Sequence, residues 1–342
     1  MKEQNYLYVE IGRRIPYFLI TSIKFARHFN PQANIYYISD IKLRKSIINK
    51  YNIKFVHFDK SLHASIINKV IELFPEKSIH RRQYWLNSLL RLFAIKQFIE
   101  QTQTSQFVHM ESDSLPMLTN FDYQKLLNSV STNATCFNFQ NLCVPTLVVI
   151  VDNLKYLDFI DLLEKYILED ISRPLWYWND IEALNIGRAN GYFENLPVYP
   201  INHAISEDLG GNLLFDTAIY GKYLLGEDPR NTKFVVRSGA FDSSSKNELN
   251  PETLKWDIVK ENNFDRLRVK FDNQFWNLAI IHNYAKRNLS IIDAQSFFWK
   301  QLIREANGES IRLMSFSTRL FLRALIDLLD RLIKKNGRNG RV

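Results

Sequence analysis

The feature that most constrains the fold is an alternation of apolar, strand-like runs with helical segments in the N-terminal third of the chain. The runs typical of strands occupy residues 5–12, 34–40, 53–59 and 106–112. Segments with helical spacing lie between them, at 17–29, 42–52 and 84–102. Strands that alternate with helices of this length predict an α/β fold, with a Rossmann-like, mostly parallel sheet and helices on both of its faces.

Composition places the chain among soluble globular proteins of a reducing compartment. Hydrophobic residues make up 46% and charged residues 23% of 342 residues, enough for one large or two modest domains. Two cysteines, Cys136 and Cys143, provide neither a disulfide framework nor a cysteine zinc site. The N-terminus lacks the layout of a signal peptide, and no run of about 18 apolar residues is present. We therefore expect a cytoplasmic protein.

The positive charge is concentrated at the C-terminus. Of the net charge of +8, residues 310–342 supply eight Arg or Lys against two Asp, which leaves the rest nearly neutral. A nucleic-acid partner is not expected, because such proteins carry a basic face on the core fold. Residues 310–335 predict a basic amphipathic helix that can lie on an anionic membrane, here the inner face of the cell membrane. The alternative is a helix packed on the body or on a partner subunit.

Two carboxylates one residue apart, Glu111 and Asp113, end the fourth predicted strand. In parallel sheets the ligand site lies beyond the carboxyl ends of the strands. Neighbouring side chains on an extended strand point to opposite faces, so the pair converges only if the chain turns. Ser114 and Pro116 favour such a turn. The alternative is a polar strand end with two solvated acids.

A second motif combines paired glycines with an acid at a predicted helix start. Gly210 and Gly211 free the backbone to approach a ligand closely. A helix is predicted to begin near Asp216, which can either cap that helix or project into a site.

Three stretches taken in order carry a family resemblance: 110–114 (MESDS), 210–226 (GGNLLFDTAIYGKYLLG) and 280–288 (IIHNYAKRN). They resemble nucleotide-sugar-dependent glycosyltransferases of the GT-A fold. That family has an acid-x-acid motif after a strand, then a glycine-rich loop, an acidic residue at a helix start, and a late histidine. The stretch from 215 to 231 is similar to bacterial enzymes of capsule or lipopolysaccharide assembly, and the resemblance covers about residues 5–290.

The resemblance implies a divalent metal, Mn²⁺ or Mg²⁺, held by Glu111, Asp113 and His282. Such a cation offsets the charge that develops on the departing diphosphate. Glu111 stands where the family usually has Asp, and it is expected to reach the ribose or a metal-bound water. His282 can instead be an ordinary packed histidine. Asp216 is implied as the base of an inverting transferase, whereas in a retaining enzyme it would only orient the acceptor.

Further residues are predicted to contact the nucleotide and diphosphate of the donor: Gly12, Arg13, Asp40, Arg91, Gly210, Gly211 and Lys286. Each also has a plain structural interpretation as a turn glycine, a strand-end cap or a surface charge. Trp176 and Trp178 can offer an aromatic face to an acceptor sugar, or they pack locally.

The predicted domains are a GT-A domain over 1–300, with a nucleotide-binding half at about 1–118 and an acceptor half at about 119–300, and a basic helix and tail over 301–342. The predicted function is metal-dependent transfer of a sugar from a nucleoside diphosphate sugar to a glycan or lipid-linked acceptor in bacterial surface polysaccharide synthesis. One alternative is a nucleotidyltransferase of sugar metabolism, although 10–16 (EIGRRIP) is a poor phosphate loop. The other is a non-catalytic sugar-binding or scaffold protein.

Overall fold

In the computed structural model, the described part of the chain comprises residues 3–12, 15–74, 79–137, 143–171, 178–198, 213–217, 219–225, 254–261, 264–271 and 273–282. Twelve strands and eight α-helices lie within these residues, arranged around two β-sheets.

The larger sheet contains β1 (Asn5–Glu10), β2 (Asn34–Ser39), β3 (Ile53–His57), β4 (Phe107–Met110), β6 (Asn133–Phe137), β7 (Cys143–Ile150) and β8 (Phe193–Leu196). Their order is β3-β2-β1-β4-β7-β6-β8. Among these described strands only β7 runs against the others. Strand β1 is buried along its whole length, as expected of a strand covered on both faces.

The helices are α1 (Tyr17–Phe29), α2 (Lys45–Tyr51), α3 (Ala64–Leu73), α4 (Ile79–Thr102), α5 (Asn120–Ser129), α6 (Asn153–Leu168), α7 (Asp180–Ala189) and α8 (Ile219–Leu225), with a short 3₁₀ helix at Lys60–His63. Alternate residues of β1 enter two different cores. Tyr6 and Tyr8 pack with α1 and α5, whereas Leu7 and Val9 pack with α3, α4, α6 and α7. The prediction of a mostly parallel α/β sheet flanked by helices is confirmed.

The smaller sheet contains β5 (Ser114–Pro116), β9 (Leu213–Phe215), β10 (Lys255–Glu261), β11 (Phe264–Phe271) and β12 (Gln274–His282). Its order is β10-β11-β12-β5, and β9 pairs in parallel with β12. The chain passes from the larger sheet to the smaller one between β4 and β5. Strand β12 then returns antiparallel to β5, and the register places His282 opposite Ser114. This register brings the end of the described chain back to the acidic pair.

Several predicted boundaries need correction. The fourth strand ends at Met110, so both acids lie beyond it in the link to β5. Helix α4 begins at Ile79, not at 84, whereas α8 begins at Ile219, near Asp216 as predicted. Along the described residues, we find no helix with the length and apolar character that crossing a membrane requires.

Candidate metal centre

A tight turn at Glu111–Ser114 brings the acidic pair together. The backbone N–H of Ser114 donates to the carbonyl oxygen of Glu111 at 3.0 Å, and the N–H of Glu111 donates to Thr146 in β7 at 3.2 Å. The turn breaks the alternation that would send the two side chains to opposite faces. The chain therefore turns where predicted, although Pro116 lies within β5 and not in the turn.

His282 completes a cluster of three potential metal ligands. Its Nε2 atom lies 3.2 Å from Oε2 of Glu111 and 3.3 Å from Oδ1 of Asp113. One ligand atom from each residue lies within 4.8 Å of the others. Asp113 and His282 are each only 7% exposed. The three residues predicted as metal ligands thus share one buried location, and their role as ligands stays a prediction.

An arginine links the cluster to a further acid that the sequence prediction missed. Arg91 of α4 places Nη1 2.7 Å from Oε1 of Glu111 and Nη2 2.8 Å from Oδ2 of Asp180. Asp180 is buried at the first position of α7. With Asp113, the site therefore holds three carboxylates against one guanidinium. The imbalance creates a negative potential that attracts a cation.

The pKa shifts of His282 and Arg91 report this potential, whereas the pKa shift of Glu111 reports its two cationic partners. Burial alone would lower the pKa of His282, but the carboxylates of Asp113 and Glu111 outweigh burial and raise this pKa to about 10. Burial raises the pKa of Glu111, yet Arg91 and His282 bring it below its ordinary value. The pKa of Arg91 is raised overall, because Asp180 and Glu111 outweigh the effect of burial. A protonated His282 between Glu111 and Asp113 thus balances part of the excess negative charge of the three carboxylates.

The cluster fits a divalent cation. Neighbouring ligands of octahedral Mg²⁺, which binds at about 2.1 Å, lie about 3 Å apart, close to the two separations from His282. Carboxylate oxygens suit Mg²⁺ and Mn²⁺, and imidazole is a common additional ligand of transition metals. Spacing, donor chemistry and excess negative charge all agree with such a cation.

The predicted base, Asp216, lies beside the cluster and is fully buried. Its carboxylate accepts the backbone N–H groups of Tyr220, Gly221 and His282 at 2.8–2.9 Å. Burial raises its pKa to about 6, opposed chiefly by the bond from His282. These contacts are those of a residue that fixes backbone. A role as catalytic base stays a prediction that this geometry does not favour.

The predicted nucleoside residues form a second group at the ends of β1 and β2. Gly12 has a φ of 77° and donates its N–H to Oδ1 of Asp40 at 2.7 Å, while Oδ2 of Asp40 pairs with Lys60 at 2.6 Å. A Cβ atom at position 12 would collide with Asn87 of α4. The torsion favours glycine here, whereas the amide end of the Asn87 side chain could move to make room.

The remaining site predictions divide into residues outside the described part and one correction. Those outside it are Arg13, Trp176, Gly210, Gly211, Lys286 and the 310–335 helix. Trp178 is described, and it is a core residue that is 2% exposed. Its ring is therefore not available to an acceptor sugar.

Asp180 could have been found from a helix-start signal. Asn179 precedes it and accepts the backbone N–H of Glu182 at 2.9 Å, which is the Asn-x-x-Glu pattern of a helix N-terminus. The buried bond between Ser112 and the carboxylate of Glu10 had no comparable signal, because the two residues are distant in sequence.

No protein-family model matches the chain, and no curated protein is similar to it. Among solved structures, the chain is similar to an active-site mutant of LgtC, with 12% identity, coverage of 92% of this chain and 99% of that chain, and a TM-score of 0.44. The glycosyltransferase GlyE of Streptococcus pneumoniae TIGR4 is 13% identical, with coverage of 57% of this chain and 45% of that chain and a TM-score of 0.35. Mouse xyloside xylosyltransferase 1 is 10% identical, with coverage of 57% of this chain and 86% of that chain and a TM-score of 0.37. The match thus spans less than half of the GlyE chain. At these identities and TM-scores, the function has to follow from the chain's own side chains.

Proposed function

We propose that this chain is a metal-dependent glycosyltransferase that moves a sugar from a nucleoside diphosphate sugar to a hydroxyl of a glycan or lipid-linked acceptor. The observation that carries the proposal is the convergence of Glu111, Asp113 and His282, with excess negative charge, at the carboxyl end of β4. Ligand sites of parallel α/β sheets lie at such strand ends. The assignment to bacterial surface polysaccharide synthesis rests on the sequence resemblance.

In this proposal the three clustered side chains hold Mn²⁺ or Mg²⁺. When bound, the cation supplies electrostatic stabilisation of the charge on the departing diphosphate. Arg91 fixes the carboxylate of Glu111 through Nη1, while its own position is held by Asp180. Both terminal nitrogens of Arg91 are thus engaged with acids, so we assign Arg91 to the orientation of Glu111 in place of direct diphosphate binding.

The nucleoside end of the donor is assigned to the ends of β1 and β2. Lys60 and the N–H of Gly12 hold the carboxylate of Asp40, which has acceptor capacity left for a ribose hydroxyl or a base N–H. Arg13, Gly210, Gly211 and Lys286 stay predicted contacts of the diphosphate.

A thermal-shift experiment tests the metal site. The wild type is expected to melt higher with MnCl₂ and a nucleoside diphosphate together than with the nucleotide alone, by mass action on the folded state. Asp113→Asn should lose this metal-dependent increment. Asp161→Asn, which alters an exposed acid that pairs with Lys96 in α4, is the matched control and should keep it. An equal increment in all three proteins would contradict the proposal.

Product analysis separates the three functions considered. Incubation with a panel of nucleotide sugars and Mn²⁺ should release a nucleoside diphosphate through slow transfer to water. Release of pyrophosphate from a nucleoside triphosphate and a sugar phosphate would instead identify a nucleotidyltransferase. Metal-dependent nucleotide binding without any turnover would identify a non-catalytic sugar-nucleotide binder.

The predicted membrane contact needs its own test. Flotation with anionic vesicles should carry the full chain and leave behind a chain that ends at residue 309. Equal flotation of the two chains would exclude the 310–335 helix as the anchor.

A further inference from the structure

Thr146 occupies a central position in the polar contacts behind the metal centre. It lies in β7 and is fully buried. Its carbonyl oxygen accepts the N–H of Glu111 at 3.2 Å and the hydroxyl of Ser114 at 3.1 Å. Its own hydroxyl donates to the carbonyl oxygen of Asp216 at 2.8 Å. One residue of the larger sheet thus contacts both the acidic turn and the segment that follows β9.

Asp216 extends this connection to the third ligand. Its Oδ2 atom accepts the backbone N–H of His282 at 2.9 Å, and also that of Gly221 at 2.8 Å. A continuous hydrogen-bonded path therefore runs from the backbone of Glu111 through Thr146 and Asp216 to the backbone of His282. All four residues are buried or nearly so.

This path closes a ring with the β5–β12 pairing. On one side, the register of His282 with Ser114 sets the position of the imidazole along the acidic turn. On the other side, the Thr146 hydroxyl ties the β9–α8 segment, and with it His282, to the larger sheet. Metal affinity depends on ligand spacing, and loss of a hydrogen-bond partner of a metal ligand typically lowers it 10–100-fold. The Thr146 hydroxyl acts through Asp216, one bond further away, so the lower end of this range applies. Removal of this hydroxyl would loosen the spacing while leaving every ligand in place.

We propose that Thr146 and Asp216 are positioning residues, which set the distance between the carboxylate pair and His282 and so tune the affinity for the divalent cation. This inference rests on the proposed function, because it gives the two residues a role in metal binding. It assigns Asp216 to the support of the site in place of proton transfer.

Manganese affinity, measured by titration calorimetry and by the electron paramagnetic resonance signal of free Mn²⁺, tests the inference without an activity assay. Thr146→Val keeps the size and branching of the side chain but loses the donor, and should bind Mn²⁺ about 10-fold more weakly. Thr146→Ser keeps the donor but loses the methyl group, and should bind nearly as the wild type does. If Thr146 had a merely structural role, the Mn²⁺ affinity of the two variants would follow their stability and not the presence of the hydroxyl group.

Thr135 offers a matched control in the neighbouring strand β6. It is equally buried, and its hydroxyl donates to the carbonyl oxygen of Leu147 at 2.7 Å and to no residue of the acidic turn. Thr135→Val therefore removes the same kind of bond from the same sheet, and should lower the melting temperature without changing Mn²⁺ affinity.

The outcomes separate the inference from the proposed function. Equal Mn²⁺ affinity in Thr146→Val, Thr135→Val and the wild type would overturn the inference alone. Failure of the wild type to bind Mn²⁺ would overturn the proposed function and the inference with it. If Thr146→Val does not fold, the Mn²⁺ affinity of Asp216→Asn tests the inference instead. The amide group of asparagine has only one oxygen, so its NH₂ group would face a backbone N–H group that the carboxylate accepts in the wild type. Wild-type affinity in that variant would overturn the inference.

Discussion

Different interactions hold the residues of the candidate site next to the larger sheet and those at the end of the smaller sheet. Glu111, next to the larger sheet, has its carboxylate fixed by Arg91, which Asp180 holds in turn. His282, at the end of the smaller sheet, has its backbone fixed by strand pairing with β5 and by the carboxylate of Asp216. The side-chain atoms meet at 3.2 Å, yet one is held by ion pairs and the other by backbone hydrogen bonds.

The difference shows which changes each side tolerates. A buried ion-pair network depends on charge balance, so loss of one partner leaves the others uncompensated in a medium of low dielectric constant. A backbone clamp depends on close approach and on an acceptor for each N–H group, so it is sensitive to added volume. Removal of the Arg91 charge should therefore damage the Glu111 side, and added volume at the contact between β12 and α8 should damage the His282 side.

The largest expected effect is that of Arg91→Met. The substitution keeps an apolar stem of similar length but leaves Glu111 and Asp180 buried without their shared cation. The free energy of unfolding should fall by about 3–5 kcal/mol, measured by urea denaturation. Arg268→Met is the matched control, since Arg268 pairs with Asp257 at 2.6 Å where both side chains are partly exposed. That loss should be about 1 kcal/mol or less. Similar losses in the two variants would show that charge balance is not what holds Glu111.

The next largest effect is that of Gly221→Ala in α8. A Cβ atom at this position would overlap the carbonyl oxygen of His282 and would lie 2.8 Å from Oδ2 of Asp216. Because the obstacle is backbone, β12 and α8 must separate, at a cost of about 3 kcal/mol in unfolding free energy. Gly191→Ala is the control: its φ is 76° with open space around it, so only about 1 kcal/mol of backbone strain is expected. Equal losses, or unchanged Mn²⁺ affinity in Gly221→Ala, would argue against the clamp.

The larger sheet is far more predictable from the sequence than the smaller one. Strands β1 to β4 are short apolar runs that alternate with helices, a local pattern that needs no knowledge of distant partners. In the smaller sheet, β10 and β11 alternate charged and apolar residues, in KWDIVKE and FDRLRVKF, and this period-2 signal could have predicted them. The pairing of β12 with β5, about 165 residues earlier in the chain, has no local signature.

The same distinction applies to the site. Glu111 and Asp113 could be predicted because the strand end and the turn that unite them are local. His282 was named through the family resemblance, and its place beside the acids depends on long-range register. Thr146 carries no signal, because a threonine in the run CVPTLVVI is an ordinary strand former. Only the fold reveals that its hydroxyl partner is a residue 70 positions later.

The smallest expected effect is that of His63→Phe, which tests a buried titratable side chain held by aromatic contacts and not by the ion pairs that hold Arg91. His63 stacks on Phe58, with ring centroids 5.4 Å apart, and lies 5.2 Å from Phe93. Burial, followed by the charge of Lys96, lowers its pKa below the usual 6.5. The unfolded chain therefore gains a proton first as pH falls, so the stability associated with neutral His63 is complete above pH 6.5 and is lost below it. His63→Phe keeps the stacked ring without the titration. The difference in melting temperature between variant and wild type should grow in favour of the variant from pH 7 to pH 5, and a constant difference would show that His63 does not contribute to the acid sensitivity of this core.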